Sequence, residues 1–119
     1  MEALQLEQFT GTENYYRHPL GIVYTDGVKY LAEKAGAYWL IDLIASHQPR
    51  IKRKLAALQE RDFQSWTLEK IGNEYRARCD NGNGGFLATQ RFPYTDFPAE
   101  LMPFGLFLVD GVLMLKTEY

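Results

Sequence analysis

Three aspartates sit near tyrosines in this chain, and a carboxylate beside a phenol can move a proton. Tyr24-Thr25-Asp26 and Tyr94-Thr95-Asp96 repeat the same three residues. Asp42 lies four residues from both Tyr38 and Ser46, inside the most apolar stretch of the sequence. A half-buried carboxylate can carry a raised pKa and serve as acid or base. Gathered into one groove, Tyr24, Asp26, Asp42, Tyr94 and Asp96 would form a polar site, and a small hydrolase is the activity such a site suggests. Each residue also has a structural reading. Thr or Asp in either triplet can cap a helix. Asp42 can mark the wet edge of its helix, or accept from a tyrosine hydroxyl or a backbone N–H.

His18, His47 and Cys79 are the other reactive side chains, and together they could supply a nucleophile and its base. None has a flanking motif. His47 follows Trp39 and Leu43 at helical spacing, which places it at the end of a helix. Cys79 alternates with Ala77 and Tyr75, which places it in a sheet. The loop Asp80-Asn81-Gly82-Asn83-Gly84-Gly85 has oxygen ligands, but glycines occupy the third and fifth positions of a calcium loop and no Glu closes it. It reads as a hairpin tip. No metal or cofactor site is expected.

A different chemistry is concentrated in residues 47–61, where five basic side chains stand against Glu60 alone in an otherwise acidic chain of net charge −2. Arg50, Lys52, Arg53 and Lys54 can neutralise phosphates on an exposed helix. The alternative is a solvated helix face. No helix-turn-helix, zinc or aromatic RNA-binding motif accompanies the cluster.

These residues need elements to hold them. The central stretch is Tyr24 to His47. Thr25 or Asp26 caps a helix whose Val28, Leu31, Ala32 and Ala35 share one face, and Gly36 suits its C-terminal end. Trp39, Leu40, Ile41, Leu43 and Ile44 cover most of a second helix, which reads as buried. Pro49 opens a third, with Ile51, Leu55 and Leu58 as its apolar stripe. Residues 2–8 read as one or two helical turns anchored by Leu4 and Leu6. Residues 13–23, interrupted by Pro19 and Gly21, read as a loop or short edge strand carrying tyrosines. After Asp62 the period changes to two. Strands over 63–71, 75–80, 86–92, 104–109 and 112–116 follow, punctuated by Gly72-Asn73, the 81–85 loop and Asp110-Gly111. The expected fold is α+β: N-terminal helices packed on one face of a four- to five-stranded antiparallel meander sheet.

A chain of 119 residues with 46% hydrophobic and 24% charged side chains suffices for a single domain over 1–119 with one real core. The lone Cys79 fits a reducing compartment. The acidic N-terminal residues lack an apolar leader, and no apolar run is long enough to span a bilayer. A cytoplasmic protein without membrane contact is expected.

Phe9-Thr10-Gly11-Thr12, Tyr24-Thr25-Asp26-Gly27-Val28, Tyr38-Trp39-Leu40-Ile41-Asp42, Trp66, Tyr94-Thr95-Asp96-Phe97 and Thr117-Glu118-Tyr119 together resemble a family of small bacterial proteins of unknown function, some carried on plasmids and phages. The resemblance covers nearly the whole chain. It implies one compact domain and carries no known activity. The ending departs from it: Leu115-Lys116-Thr117 stands where Leu-Pro-Ser is expected before the final Glu-Tyr.

The expected function is a non-catalytic binding or adaptor module, acting on a protein partner or on a second copy of itself. The apolar hairpin Phe104–Leu115 is the candidate dimer surface, since an exposed apolar edge strand would invite pairing. Nucleic-acid binding through helix 50–61 and the small hydrolase are the alternatives.

Overall fold

The computed structural model describes residues 5–119. Leu6–Gln8 makes one 3-10 turn; the anchor at Leu4 lies outside the described residues. Two short strands follow, β1 (Tyr15–Arg17) and β2 (Val23–Thr25), then three helices, α1 (Asp26–Ala35), α2 (Tyr38–Ser46) and α3 (Gln48–Leu58). Five strands complete the chain: β3 (Phe63–Ile71), β4 (Glu74–Asp80), β5 (Phe86–Phe92), β6 (Phe104–Val109) and β7 (Val112–Leu115).

All seven strands form one sheet in the order β1-β2-β7-β6-β3-β4-β5. The β2–β7 pair is parallel and the other pairs are antiparallel. This corrects the expected four- to five-stranded antiparallel meander behind N-terminal helices: the sheet is larger and mixed, and two strands precede the helices. The local turns do form as expected. Gly72 takes φ 60° in the tight turn joining Ile71 to Glu74. Asp110 and Gly111 both take positive φ, the primed geometry that matches strand twist. The departure is long-range. The β6–β7 hairpin returns past β4 to pair with β3, and β7 then receives β2. Both hairpin strands are therefore interior, so Leu106–Val109 presents no free edge, and the edge-strand reason for dimerisation falls away.

The helices cover one face. In α1, the Thr25 hydroxyl accepts from Val28 N–H at 3.3 Å, and Gly36 closes the helix in the left-handed region at φ 62°. Its buried Val28, Leu31, Ala32 and Ala35 are those the periodicity predicts. The helix packs toward β7, β1 and β2. Leu40 and Ile44 of α2 meet Trp66, Leu68, Ala77, Phe104 and Leu106 across the sheet's middle. Ile51 and Leu55 of α3 pack toward β5. Complete burial of a side chain such as Ile44 contributes roughly 1.5–3 kcal/mol. Among the described residues, no helix is long and apolar enough to cross a membrane.

Strand alternation sends Gln64, Trp66 and Leu68 into this core and Phe63, Ser65, Thr67 and Glu69 to the opposite face. Phe63 and Phe107 meet there at 5.1 Å, with Tyr119 edge-on to both. Beside them Glu69 accepts from Arg76 at 2.7 Å and Arg78 at 2.8 Å. Burial opposes ionisation of Glu69, but the two guanidinium groups outweigh it and hold its pKa below the ordinary value.

Candidate functional site

Residues 93–103 carry the chain from the outer strand β5 back to β6. Three prolines keep this crossover out of α-helix and strand, and it makes one 3-10 turn at Ala99–Leu101. Phe97 anchors it: the ring is 3% exposed and packs against Phe104 at 5.5 Å. The crossover passes beside α2 and leaves a groove of about 570 Å³. Trp39, Asp42, Leu43 and Ser46 of α2 line one wall, Tyr94, Thr95 and Asp96 the other, and Gln90 and Phe92 of β5 complete it. The buried helix expected from the sequence is thus only partly buried. Leu40, Ile41, Ile44 and Ala45 enter the core, while Trp39 and Leu43 remain half-exposed as a groove wall.

The aromatic geometry is ordered. Trp39 meets Phe92 edge-to-face at 5.5 Å, and Phe92 stacks on Tyr75 at 6.1 Å. Tyr94 is 75% exposed. Among the described residues, two carboxylates line the groove and no Lys or Arg does. Asp42 is fixed by His18, whose Nε2 lies 2.7 Å from Asp42 Oδ1. The other ring nitrogen, Nδ1, accepts from Leu20 N–H at 3.0 Å. The ring proton therefore sits on Nε2 and is donated to Asp42. Both nitrogens are used, so His18 orients the carboxylate and has none left to receive a substrate proton. The sequence singles out Asp42 but carries no sign of this partner. A loop histidine 24 residues upstream leaves no periodic sign.

The five residues of the expected polar groove divide. Asp42, Tyr94 and Asp96 come together; Asp26 and Tyr24 lie elsewhere. Asp26 accepts from Tyr16 Oη at 2.9 Å, Asn14 N–H at 3.1 Å, Glu13 N–H at 3.2 Å and Thr12 Oγ1 at 3.3 Å. Burial opposes ionisation of Asp26, but the Tyr16 and backbone hydrogen bonds outweigh it and lower its pKa. Its role is to hold residues 12–16 against the start of α1. Tyr24 stacks on Tyr16 at 5.6 Å, and burial first, then Tyr38, pushes its phenol pKa up.

A contact without local signature joins the same helix end to the far end of the chain. Glu118 Oε1 accepts from Thr25 Oγ1 at 2.7 Å and from Leu115 N–H at 2.9 Å; Oε2 accepts from Gly27 N–H at 3.2 Å. A Cβ at Gly27 would stand 2.6 Å from Glu118 Oε1 and 2.7 Å from Leu115 Cδ1. Glycine serves the close approach there, not a special φ, and a side chain would have to push Glu118 and Leu115 aside.

The remaining reactive groups are dispersed. His47 Nε2 pairs with Gln90 Oε1 at 2.8 Å. Cys79 is buried, which pushes its thiol pKa well up and keeps it from being a thiolate. Its weak partner is Gln64, part of a buried network in which Gln48 and Gln64 exchange amide hydrogen bonds at 2.8 and 2.9 Å and Trp66 Nε1 donates to Gln64 Oε1 at 3.0 Å. The 81–85 segment is a hairpin tip closed by Asp80 and Asn81 side chains. No cluster of three or more potential metal ligands occurs among the described residues. Arg50, Lys52, Arg53 and Lys54 are all exposed on α3. None of the four enters an ion pair among the described residues. Lys54 instead donates to the Phe86 carbonyl at 2.8 Å.

No curated protein and no solved structure matches this chain. Residues 2–119 match the model of a family described as "Family of unknown function (DUF6876)", and the chain belongs to that family.

Proposed function

We propose that this protein is a non-catalytic binding module whose groove between α2 and the 93–103 crossover takes a cationic side chain, lysine or arginine, from a partner protein. One observation carries the reading: Trp39, Phe92 and Tyr94 line the groove together with Asp42 and Asp96, and no Lys or Arg among the described residues lines it. Aromatic faces attract cations through their quadrupole, and the attraction grows as the cation loses water. Two carboxylates add charge complementarity, which steers and orients more than it tightens. His18 supports binding over acid–base work, because it holds Asp42 in place and keeps no nitrogen free. A cytoplasmic setting belongs to the same reading, and a lone buried thiol supports it.

The test is an amide and indole chemical-shift titration with the tripeptides Gly-Lys-Gly, Gly-Arg-Gly and Gly-Glu-Gly. The basic peptides should shift the Trp39 indole N–H and the 94–96 amides, with a Kd on the order of 1 mM. Asp42→Asn or Asp96→Asn should each weaken binding about fivefold, the worth of one exposed charge pair. Equal shifts with Gly-Glu-Gly, or none with any peptide, would sink the reading.

A further inference from the structure

We infer that α3 and the neighbouring ring of Phe86 form a binding strip for single-stranded nucleic acid, with phosphates on the helix and a base on the ring. This strip is separate from the groove and does not depend on what the groove binds.

Helical geometry decides which cations act together. At about 100° per residue, Arg50, Arg53 and Lys54 fall within an arc of about 100°, with the small Ala57 between them. Lys52 falls on the opposite flank. The buried Gln48, Ile51 and Leu55 fix the side that faces the core. The flank carrying Arg50 and Lys54 faces β5. His47 reaches Gln90 near one end of that strand and Lys54 reaches the Phe86 carbonyl at the other. Arg50 lies between His47 and Lys54 on this flank, so the cations run along the outer edge of the sheet.

Phe86 ends that row. Its ring is 60% exposed, with Lys54 Nζ 5.2 Å from the centroid. An exposed ring beside cations that no carboxylate among the described residues neutralises is the pairing used for single strands. Phosphates meet the cations, and unstacked bases meet the aromatic face. A duplex keeps its bases stacked inside and would leave the ring idle. Arg50 also stands in the first turn of α3, where the helix dipole disfavours positive charge. An anion on the strip would relieve that repulsion.

Fluorescence anisotropy with a labelled mixed-sequence 15-mer, single-stranded and as duplex, tests the inference at 50 and 200 mM salt. Three phosphate contacts give a slope of about −2, and thus about a 20-fold loss of affinity between the two salts. Arg50→Glu with Arg53→Glu should abolish binding without lowering the melting temperature, since a carboxylate in the first turn of α3 suits the helix dipole. Phe86→Ala should weaken the single strand about tenfold or more and leave any duplex binding unaltered. Lys52→Glu changes net charge as much as Arg53→Glu does, but should have a far smaller effect. No binding at 50 mM salt up to about 50 μM protein would overturn the inference. So would equal losses from Lys52→Glu and Arg53→Glu, duplex binding as tight as single strand, or equal binding of polyglutamate.

Discussion

Deleting the Glu118 carboxylate should cost more than its place at the chain's end suggests. Glu118→Ala leaves three donors without their acceptor: the Thr25 hydroxyl, Gly27 N–H and Leu115 N–H. Two of these belong to the start of α1, where an anion also complements the helix dipole. The third ties the end of β7. A lost N-terminal cap costs about 0.5–2 kcal/mol and a lost hydrogen bond to a charged group about 1.5–3 kcal/mol. Water reaches part of the site, so the sum falls to about 2–4 kcal/mol. A chain of 119 residues has an unfolding entropy that makes 1 kcal/mol worth about 4 °C. The melting temperature by circular dichroism should therefore fall by about 8–16 °C. Gly27→Ala should also destabilise, because its Cβ meets Glu118 Oε1 and Leu115 Cδ1. The two changes share an obstacle, so the double variant should lose less than the sum of the singles. A Glu118→Ala protein melting within about 2 °C of wild type, or strict additivity with Gly27→Ala, would refute the reasoning.

Gln64 is fully buried and serves as acceptor for both Trp66 and Gln48. Gln64→Ala should cost about 3–5 kcal/mol in urea unfolding, from the cavity and two orphaned donors, and a loss under about 1 kcal/mol would contradict the network. Glu69 has a folded-state pKa below its unfolded value. Its stabilising contribution is therefore present above the unfolded pKa and is lost as pH falls through the folded one. Glu69→Gln should lower stability at pH 7 and flatten the acid limb below about pH 4.3; an acid limb as steep as wild type would exclude this role.

What the sequence revealed was whatever the chain decides within a few residues. Thr25 and Gly36 bracket α1 because caps act over one turn. Asp110-Gly111 makes its hairpin because both positions need positive φ. The alternation of Ala77 and Cys79 with Arg76, Arg78 and Asp80 marks a half-covered sheet, whereas Phe63, an expected inward anchor beside Trp66 and Leu68, lies on the opposite face because it is out of phase with them. Partner choice was hidden. Val23 and Tyr24 pair with Val112 and Leu113, and no local pattern in either segment names the other. The groove shares this property. Its walls come from α2 and the crossover, and its existence depends on β6 returning past β4 to β3. Asp42, Tyr94 and Asp96 were legible as residues able to do chemistry; their meeting was not. The four cations of α3 were legible as a cluster, but only the buried side of the helix separates Lys52 from the other three.

The two Tyr-Thr-Asp segments show how one neighbour sets the outcome. At the first, the residue after Asp26 is Gly27, which leaves room for the Glu118 carboxylate over the helix start. Thr25 then caps α1 and donates to Glu118, while Asp26 turns aside to hold residues 12–16. At the second, the residue after Asp96 is Phe97. Its ring must be buried, and burial draws the backbone down against Phe104. Thr95 Oγ1 accepts from Phe97 N–H at 3.1 Å, which makes a turn instead of a helix. Asp96 is left on the rim beside Tyr94, facing α2. The same three residues thus start a helix where glycine follows and build a groove wall where phenylalanine follows. The acidic, aromatic character of the groove depends on a core residue, Phe97, that does not line it.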